Sequence, residues 1–163
     1  MTIIPGRMTD AHSGPLVVFL IGMRINHFHK ITRWWPVMRA MGPMLRELAA
    51  NPQSGFLGSE VALCSLRQII LIQYWRDFDS LEHYARDRDA LHWPAWTAFN
   101  RAIGSDGSVG IYHETYCVAA EAHETVYANM PPFGLARFAG SLPATGSRNK
   151  ARSRMRAAQE PVA

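Results

Sequence analysis

The hydrophobic positions along this chain switch between continuous β-branched runs and a helical period near 3.6, and the switches mark its elements. Residues 16–25, LVVFLIGMRI, follow Gly14-Pro15 and combine β-branched side chains with an aromatic ring, the composition of a buried strand. From Trp34 the apolar positions Val37, Met38, Met41, Leu45 and Leu48 recur at spacings of three and four, which predicts an amphipathic helix with Thr32 as its N-cap. Pro36 and Pro43 each lack an amide hydrogen, so this helix is expected to begin near Pro36 and to kink or break at Gly42-Pro43. FLGSEVALC at 56–64 and QIILIQYWR at 68–76 are two strands at hairpin spacing. Asp77 or Asp79 caps a helix whose apolar face is Leu81, Tyr84 and Ala85, and a second helical piece runs from about Pro94 through Phe99 to Ile103, ended by Gly104. After the turn GSDGS, residues 109–118, VGIYHETYCV, form the last strand.

Strand, helix, strand, strand, helix, strand is the order of the split βαβ, ferredoxin-like plan: an α+β fold with a four-stranded antiparallel sheet and its helices on one face. In the strand 68–76 both alternating sets are apolar, Ile70, Ile72 and Tyr74 on one side against Ile69, Leu71 and Trp75 on the other. The face without helices therefore also needs a cover, and a second copy of the chain is the economical one. The expected organisation is an N-terminal extension over 1–14, the barrel-forming domain over 15–140 and a tail over 141–163. The segment YANMPPFGLA at 127–136 has too few charges for a linker and is expected to pack over the domain, as a cover for its pocket.

Composition sharpens this reading in two places. Hydrophobic residues make up 48% of the chain and charged residues 18%, a lean charge content that fits an oligomer or a lined cavity. The formal charge of +4 resides in the tail, where Arg148, Lys150, Arg152, Arg154 and Arg156 stand against Glu160 alone. That segment is polar and aperiodic, so it is expected to be a solvated, disordered tail; nucleic acid is not an expected partner. The longest apolar run, PLVVFLIGM, is far shorter than a membrane span, and the first dozen residues lack the pattern of a secretory signal, which makes the cytoplasm the expected location. Cys64 and Cys117 lack metal-site spacing and are expected to be small core residues.

The blocks QYWRDFDSLEHYARD, HWPAWTAFNRAIG, VGIYHETYCV and YANMPPFGLA, in that order, resemble the family named after a fungal monooxygenase-like protein of fumagillin biosynthesis. The resemblance covers roughly residues 16–140. It implies a dimeric α+β barrel of the antibiotic-biosynthesis monooxygenase group, the fold that the element order indicates independently.

The candidate chemistry centres on the last strand. Because side chains alternate faces along a strand, His113 and Glu114 must point to opposite sides. Ile111, His113, Thr115 and Cys117 share one face, and Tyr112, Glu114, Tyr116 and Val118 share the other. A buried lone carboxylate is costly, so Glu114 is expected to meet an arginine or solvent, while His113 faces an enclosed pocket. An imidazole suits a general base because it exchanges protons near neutral pH. The catalytic candidates are thus His113 as base, with Tyr116 and Asn100 as hydrogen-bond donors. His92, Trp96, Phe99 and Tyr74 are the candidate walls of a substrate pocket. His27 and His29 could share a metal ion, but a third ligand at motif spacing is missing, so no metal site is expected. Together these point to a homodimeric, cofactor-independent monooxygenase-like enzyme acting on a small apolar aromatic or polyketide-like molecule. The resemblance implies one alternative, haem held by His92 or His113, and a non-catalytic ligand-binding dimer is the other.

Overall fold

A computed structural model describes residues 2–89, 93–94, 97 and 106–157 of the protein. Its principal sheet has the order β3-β4-β2-β5, with β2 (Leu16–Ile25) and β4 (Gln68–Trp75) inside and β3 (Phe56–Ser65) and β5 (Val109–Val118) at the edges. All neighbours are antiparallel. This is the ferredoxin-like arrangement expected from the element order. The helices α1 (Ile31–Ala50) and α2 (Phe78–Arg86) belong to its two crossovers. Asp77 caps α2 by accepting the Ser80 amide at 2.6 Å. No helix among the described residues is long and apolar enough to cross a membrane.

The helix α1 departs from expectation. It runs unbroken through Pro36 and Pro43, and it starts after Lys30, which makes no side-chain cap. Both prolines lie on its exposed side, seven residues apart. The carbonyls they leave without an intrahelical donor belong to Thr32 and Arg39, residues that are themselves exposed, so water can take those bonds.

Packing between helices and sheet is concentrated at the two ends of β2. At one end Val17 joins Leu48, Trp75 and Leu81; at the other, Met23 and Ile25 join Val109 beneath Trp34, Val37 and Met38. Trp75 is fully buried, and its indole N–H donates to Gln73 Oε1 at 2.9 Å, so the polar edge of the ring stays satisfied. Tyr84 joins α2 to α1 by donating to Glu47 Oε2 at 3.2 Å. The helix side of the edge strand β3 stays uncovered, with Val61 and Leu63 exposed, and the β3–β4 ladder shifts register between Phe56 and Gly58 and again between Leu63 and Ser65. Cys64 and Cys117 are both exposed thiols rather than core residues, because each falls near the outer end of an edge strand.

The chain's ends build a second sheet, ordered β6-β1-β7, from β1 (Ile4–Asp10), β6 (Tyr127–Met130) and β7 (Ser141–Pro143). Here too the structure differs from expectation. Residues 141–157 are ordered: β7 pairs with β1, and α4 (Ala151–Ala157) follows. Arg154 is buried and donates to Glu124 Oε2 at 2.8 Å and to the carbonyls of Arg148 and Asn149. A segment this polar orders because its charge is paired and β1 supplies a strand to dock on. The short helix α3 (Leu135–Phe138) then lies on the principal sheet's helix-free face. There the buried Glu60 accepts the Gly134 amide at 3.1 Å and the Arg137 guanidinium at 3.2 Å, and the Phe138 ring fills the space where a side chain at Gly58 would stand. Part of the face expected to require a second copy is thus covered by the chain itself.

Asp10 holds the ends together. It accepts from the His12 amide at 2.8 Å and the Thr125 hydroxyl at 2.7 Å, and His123 Nε2 lies 3.3 Å from it. Burial raises its carboxyl, but the bonds from His123, Thr125 and His12 and the charge of His123 more than offset that and leave it below its ordinary value. A depressed folded value means that this clasp contributes fully above about pH 4 and is lost as the pH falls further. We expect Asp10→Asn to lower stability by about 1–3 kcal/mol at pH 7 and to flatten the loss of melting temperature below pH 4, measured by thermal denaturation across pH. Arg154→Ala should cost about 3 kcal/mol, the lower end for breaking a buried pair since Glu124 keeps some exposure. Removal of residues 141–163 should cost at least as much in denaturant titration; unchanged stability would mean that β7 and α4 contribute nothing to the fold.

Candidate functional site

Between the two packed ends of β2, Phe19 and Ile21 point toward the helices; Phe19 packs against the first core cluster, yet neither side chain is fully buried. Both line a pocket of about 520 Å³. Its walls among the described residues come from four elements: Phe19 and Ile21 of β2; Ile111, His113 and Thr115 of β5; Val37, Ala40, Met41 and Met44 of α1; Leu81 and Ala85 of α2, with Phe78 and Trp93 beside them. The antiparallel register sets His113 opposite Ile21 and Thr115 opposite Phe19, which is why an imidazole and a hydroxyl enter a mainly apolar space side by side. The volume lies within the range of small-molecule sites, and so does the lining of aliphatic, thioether and aromatic groups around a few polar atoms.

His113 meets Phe19 ring to ring at a centroid distance of 5.6 Å, a contact that holds the imidazole plane without using either nitrogen. The side chain is accessible to solvent, so the pocket is open at His113 rather than enclosed. Glu82 and Arg86 of α2 form an ion pair at 2.8 Å on the pocket's outer side. Thr115, in the same row as His113, supplies the nearest hydroxyl on the strand.

The strand parity read from the sequence holds, and it separates two residues expected to act together. Glu114 and Tyr116 lie on the helix-free face, where the Tyr116 hydroxyl donates to Glu114 Oε2 at 2.6 Å and the carboxylate in turn raises the phenol. No arginine holds Glu114 among the described contacts; the phenol and solvent do. Tyr116, three positions from His113, therefore cannot reach the space that His113 lines. Tyr74 is also on the helix-free face, packed on Phe138 at 6.0 Å, with its phenol raised by burial and then by Tyr127, Glu60 and Asp10. The segment 127–136 covers this face too and not the pocket. His92, Trp96, Phe99 and Asn100 lie outside the described residues. His27 and His29 stand with ring centroids 5.7 Å apart, and no group of three metal-ligating side chains occurs among the described residues.

Sequence reasoning missed Phe19, Met41, Met44 and Thr115 as pocket residues. Thr115 was within reach, because it shares the parity of His113. The two methionines and Phe19 carry the periodic pattern of a core, and only the register tells which core positions are left without a partner.

Comparison with known proteins bears on the same region. Monooxygenase af470 from Aspergillus fumigatus is 29% identical over 135 residues, which cover 76% of this chain and 46% of that protein. Among solved structures, an aldoxime dehydratase matches at 18% identity with a TM-score of 0.64, covering 88% of this chain and 45% of the other. SnoaB, a cofactor-independent oxygenase from Streptomyces nogalater, matches at 13% identity with a TM-score of 0.44, covering 62% of this chain and 90% of its own. The chain spans less than half the length of both the curated relative and the dehydratase, and likeness at such identities between structures shows the fold alone. Residues 16–135, which include both core clusters and every pocket wall named above, match the model of the Monooxygenase af470-like family, and the chain belongs to that family.

Proposed function

We propose that the protein is a small cofactor-independent monooxygenase-like enzyme that oxidises an apolar, CH-acidic aromatic molecule in the pocket beside His113. The observation that supports this best is the placement of a solvent-accessible imidazole, unoccupied by any hydrogen-bond partner among the described contacts, beside Thr115 in a pocket lined mainly by apolar side chains. Family membership supports the same class of reaction.

The chemistry asks little of the protein. His113 takes a proton from an activated C–H of the substrate; the resulting carbanion reduces dioxygen; one oxygen atom ends as the product carbonyl and the other leaves as water with the two hydrogens of the original methylene. The apolar walls from β2 and α1 shield one side of the anion from water, which sharpens its interaction with the imidazolium. Thr115 is placed to hydrogen-bond the substrate oxygen that carries the delocalised charge. A methylene between two aromatic rings that are conjugated with a ketone, as in an anthrone, has the acidity that this chemistry requires. We expect dioxygen uptake and quinone formation with a panel of anthrones and related tricyclic ketones, and a loss of ~10²–10⁴-fold in turnover for His113→Ala, with the melting temperature little changed. Glu114→Gln should leave turnover within about twofold, since its carboxylate faces away from the pocket. Activity that survives His113→Ala, or a stoichiometric Soret band in the purified protein, would overturn this reading; the latter would transfer it to haem chemistry.

We also propose that two copies associate through the part of the helix-free face that α3 leaves open, around Val18, Leu20, Tyr112 and Tyr116. Tyr116 is half exposed there, and the neighbouring aliphatics are only partly covered. Sedimentation equilibrium should report a dimer at micromolar concentration, and Leu20→Glu should return it to monomer. A monomeric wild-type protein would remove this interface.

A further inference from the structure

A second pocket of about 90 Å³ lies against the first. The two share Ile21, Val37, Met41 and Ile111, so a common wall from β2, α1 and β5 separates them or joins them. The remaining lining, Met23, Met38, Ile69 and Leu71 with the backbone of Gly22, contains no polar side chain. The main-chain groups of β2 in this region are spent on ladders to β4 and β5, on both sides of the strand. The lining offers a water molecule none of the two to four polar partners that hold ordered water in proteins, and apolar lining of this kind favours apolar guests such as xenon. The space is also too small for the aromatic substrate proposed above, since small-molecule sites start at several times this volume.

We infer that this side pocket is a binding site for a small apolar gas, and that its ligand is dioxygen, held beside the substrate pocket behind Met41. The choice of dioxygen rests on the oxygenase reading; the affinity for an apolar gas follows from the lining alone. Dioxygen, like xenon, is more soluble in hydrocarbon than in water, so an apolar pocket raises its local concentration without any directed bond. The position is the useful one. Through Met41, Val37 and Ile111 the side pocket adjoins the space where the carbanion would form next to His113, so dioxygen would reach it from a reservoir and not from bulk solvent. The flexible thioether of Met41 is the wall best able to yield, because its three unbranched torsions can turn without disturbing the helix.

The experiment uses the full chain with methionine methyl groups labelled with carbon-13. Under dioxygen pressure the paramagnetic gas should enhance relaxation of the Met38 and Met41 methyls severalfold over that of Met155, which is the more exposed to solvent and reports collisions from bulk. Xenon should shift the same two resonances in a saturable way. Ile69→Phe and Met38→Phe, on different elements, both fill the pocket from positions outside the substrate pocket; either one, folded by its thermal melt, should abolish both effects at Met41. Enhancement that follows solvent exposure, with Met155 affected most, would overturn the site, and so would an unchanged response in both filled variants. The two readings separate cleanly, since this measurement needs no turnover. Gas bound at Met41 in a protein that oxidises no anthrone sinks the oxygenase and leaves a gas-binding void; His113-dependent oxidation with no gas at Met41 sinks the reservoir alone.

Discussion

Everything in this fold hangs on the helix-facing edge of one strand. β2 opens one crossover and lies between β4 and β5, the two strands that the other crossover joins, and its odd-numbered residues must meet α1 and α2. Val17 at one end and Met23 and Ile25 at the other are packed to completion. Phe19 and Ile21 between them are not. The hydrophobic driving force is thus supplied by the two ends, each buried aliphatic there being worth about 1.5–3 kcal/mol, and the middle is free to remain open. A site of this design needs its ends overbuilt, and the fully buried Trp75 with its satisfied indole is how one end achieves that.

The second sheet solves a separate problem. A four-stranded sheet with helices on one face leaves its other face to something else, and here the chain's two termini pair with each other and bring α3 down onto β3 and β4. Two buried carboxylates, Asp10 and Glu60, carry this attachment, each satisfied by several donors. Burying a charge is favourable only when it is so fully bonded. The attachment therefore has one allowed geometry, in contrast to a greasy patch, which would tolerate several.

Much of this was legible in the sequence, and the parts that were not share a physical reason. The four strands of the principal sheet and α2 announce themselves by composition and by the Asp77 cap. Strand parity alone places His113 with Thr115 and away from Glu114. The same parity places Tyr116 away from His113, so pairing the two in one site conflicts with a rule already in hand. Tyr74 fails for a related reason: parity sets it apart from Trp75, and hence from the helix side where the pocket lies. The C-terminal elements were invisible because β7 has three residues and α4 seven, too few for any period to show, and because their stability comes from distant partners in β1 and from Glu124. The continuity of α1 was hidden by two prolines whose cost depends on which side of the helix they occupy. What lines the pocket was hidden most deeply, since Phe19, Met41 and Met44 look like core and become walls only through the register of β2 with β5.

The two register shifts in β3 have a bearing on how the protein behaves in concentrated solution. An edge strand with aliphatic side chains exposed, as Val61 and Leu63 are, invites a strand from another molecule to add to it and seed a fibril. A foreign strand needs an unbroken row of alternating donors and acceptors. The irregularities between Phe56 and Gly58 and between Leu63 and Ser65 interrupt that row at both ends and leave only the stretch 58–63 in regular register. The same kinks that bend β3 at its ends therefore shorten the template that its greasy middle offers to a neighbouring molecule.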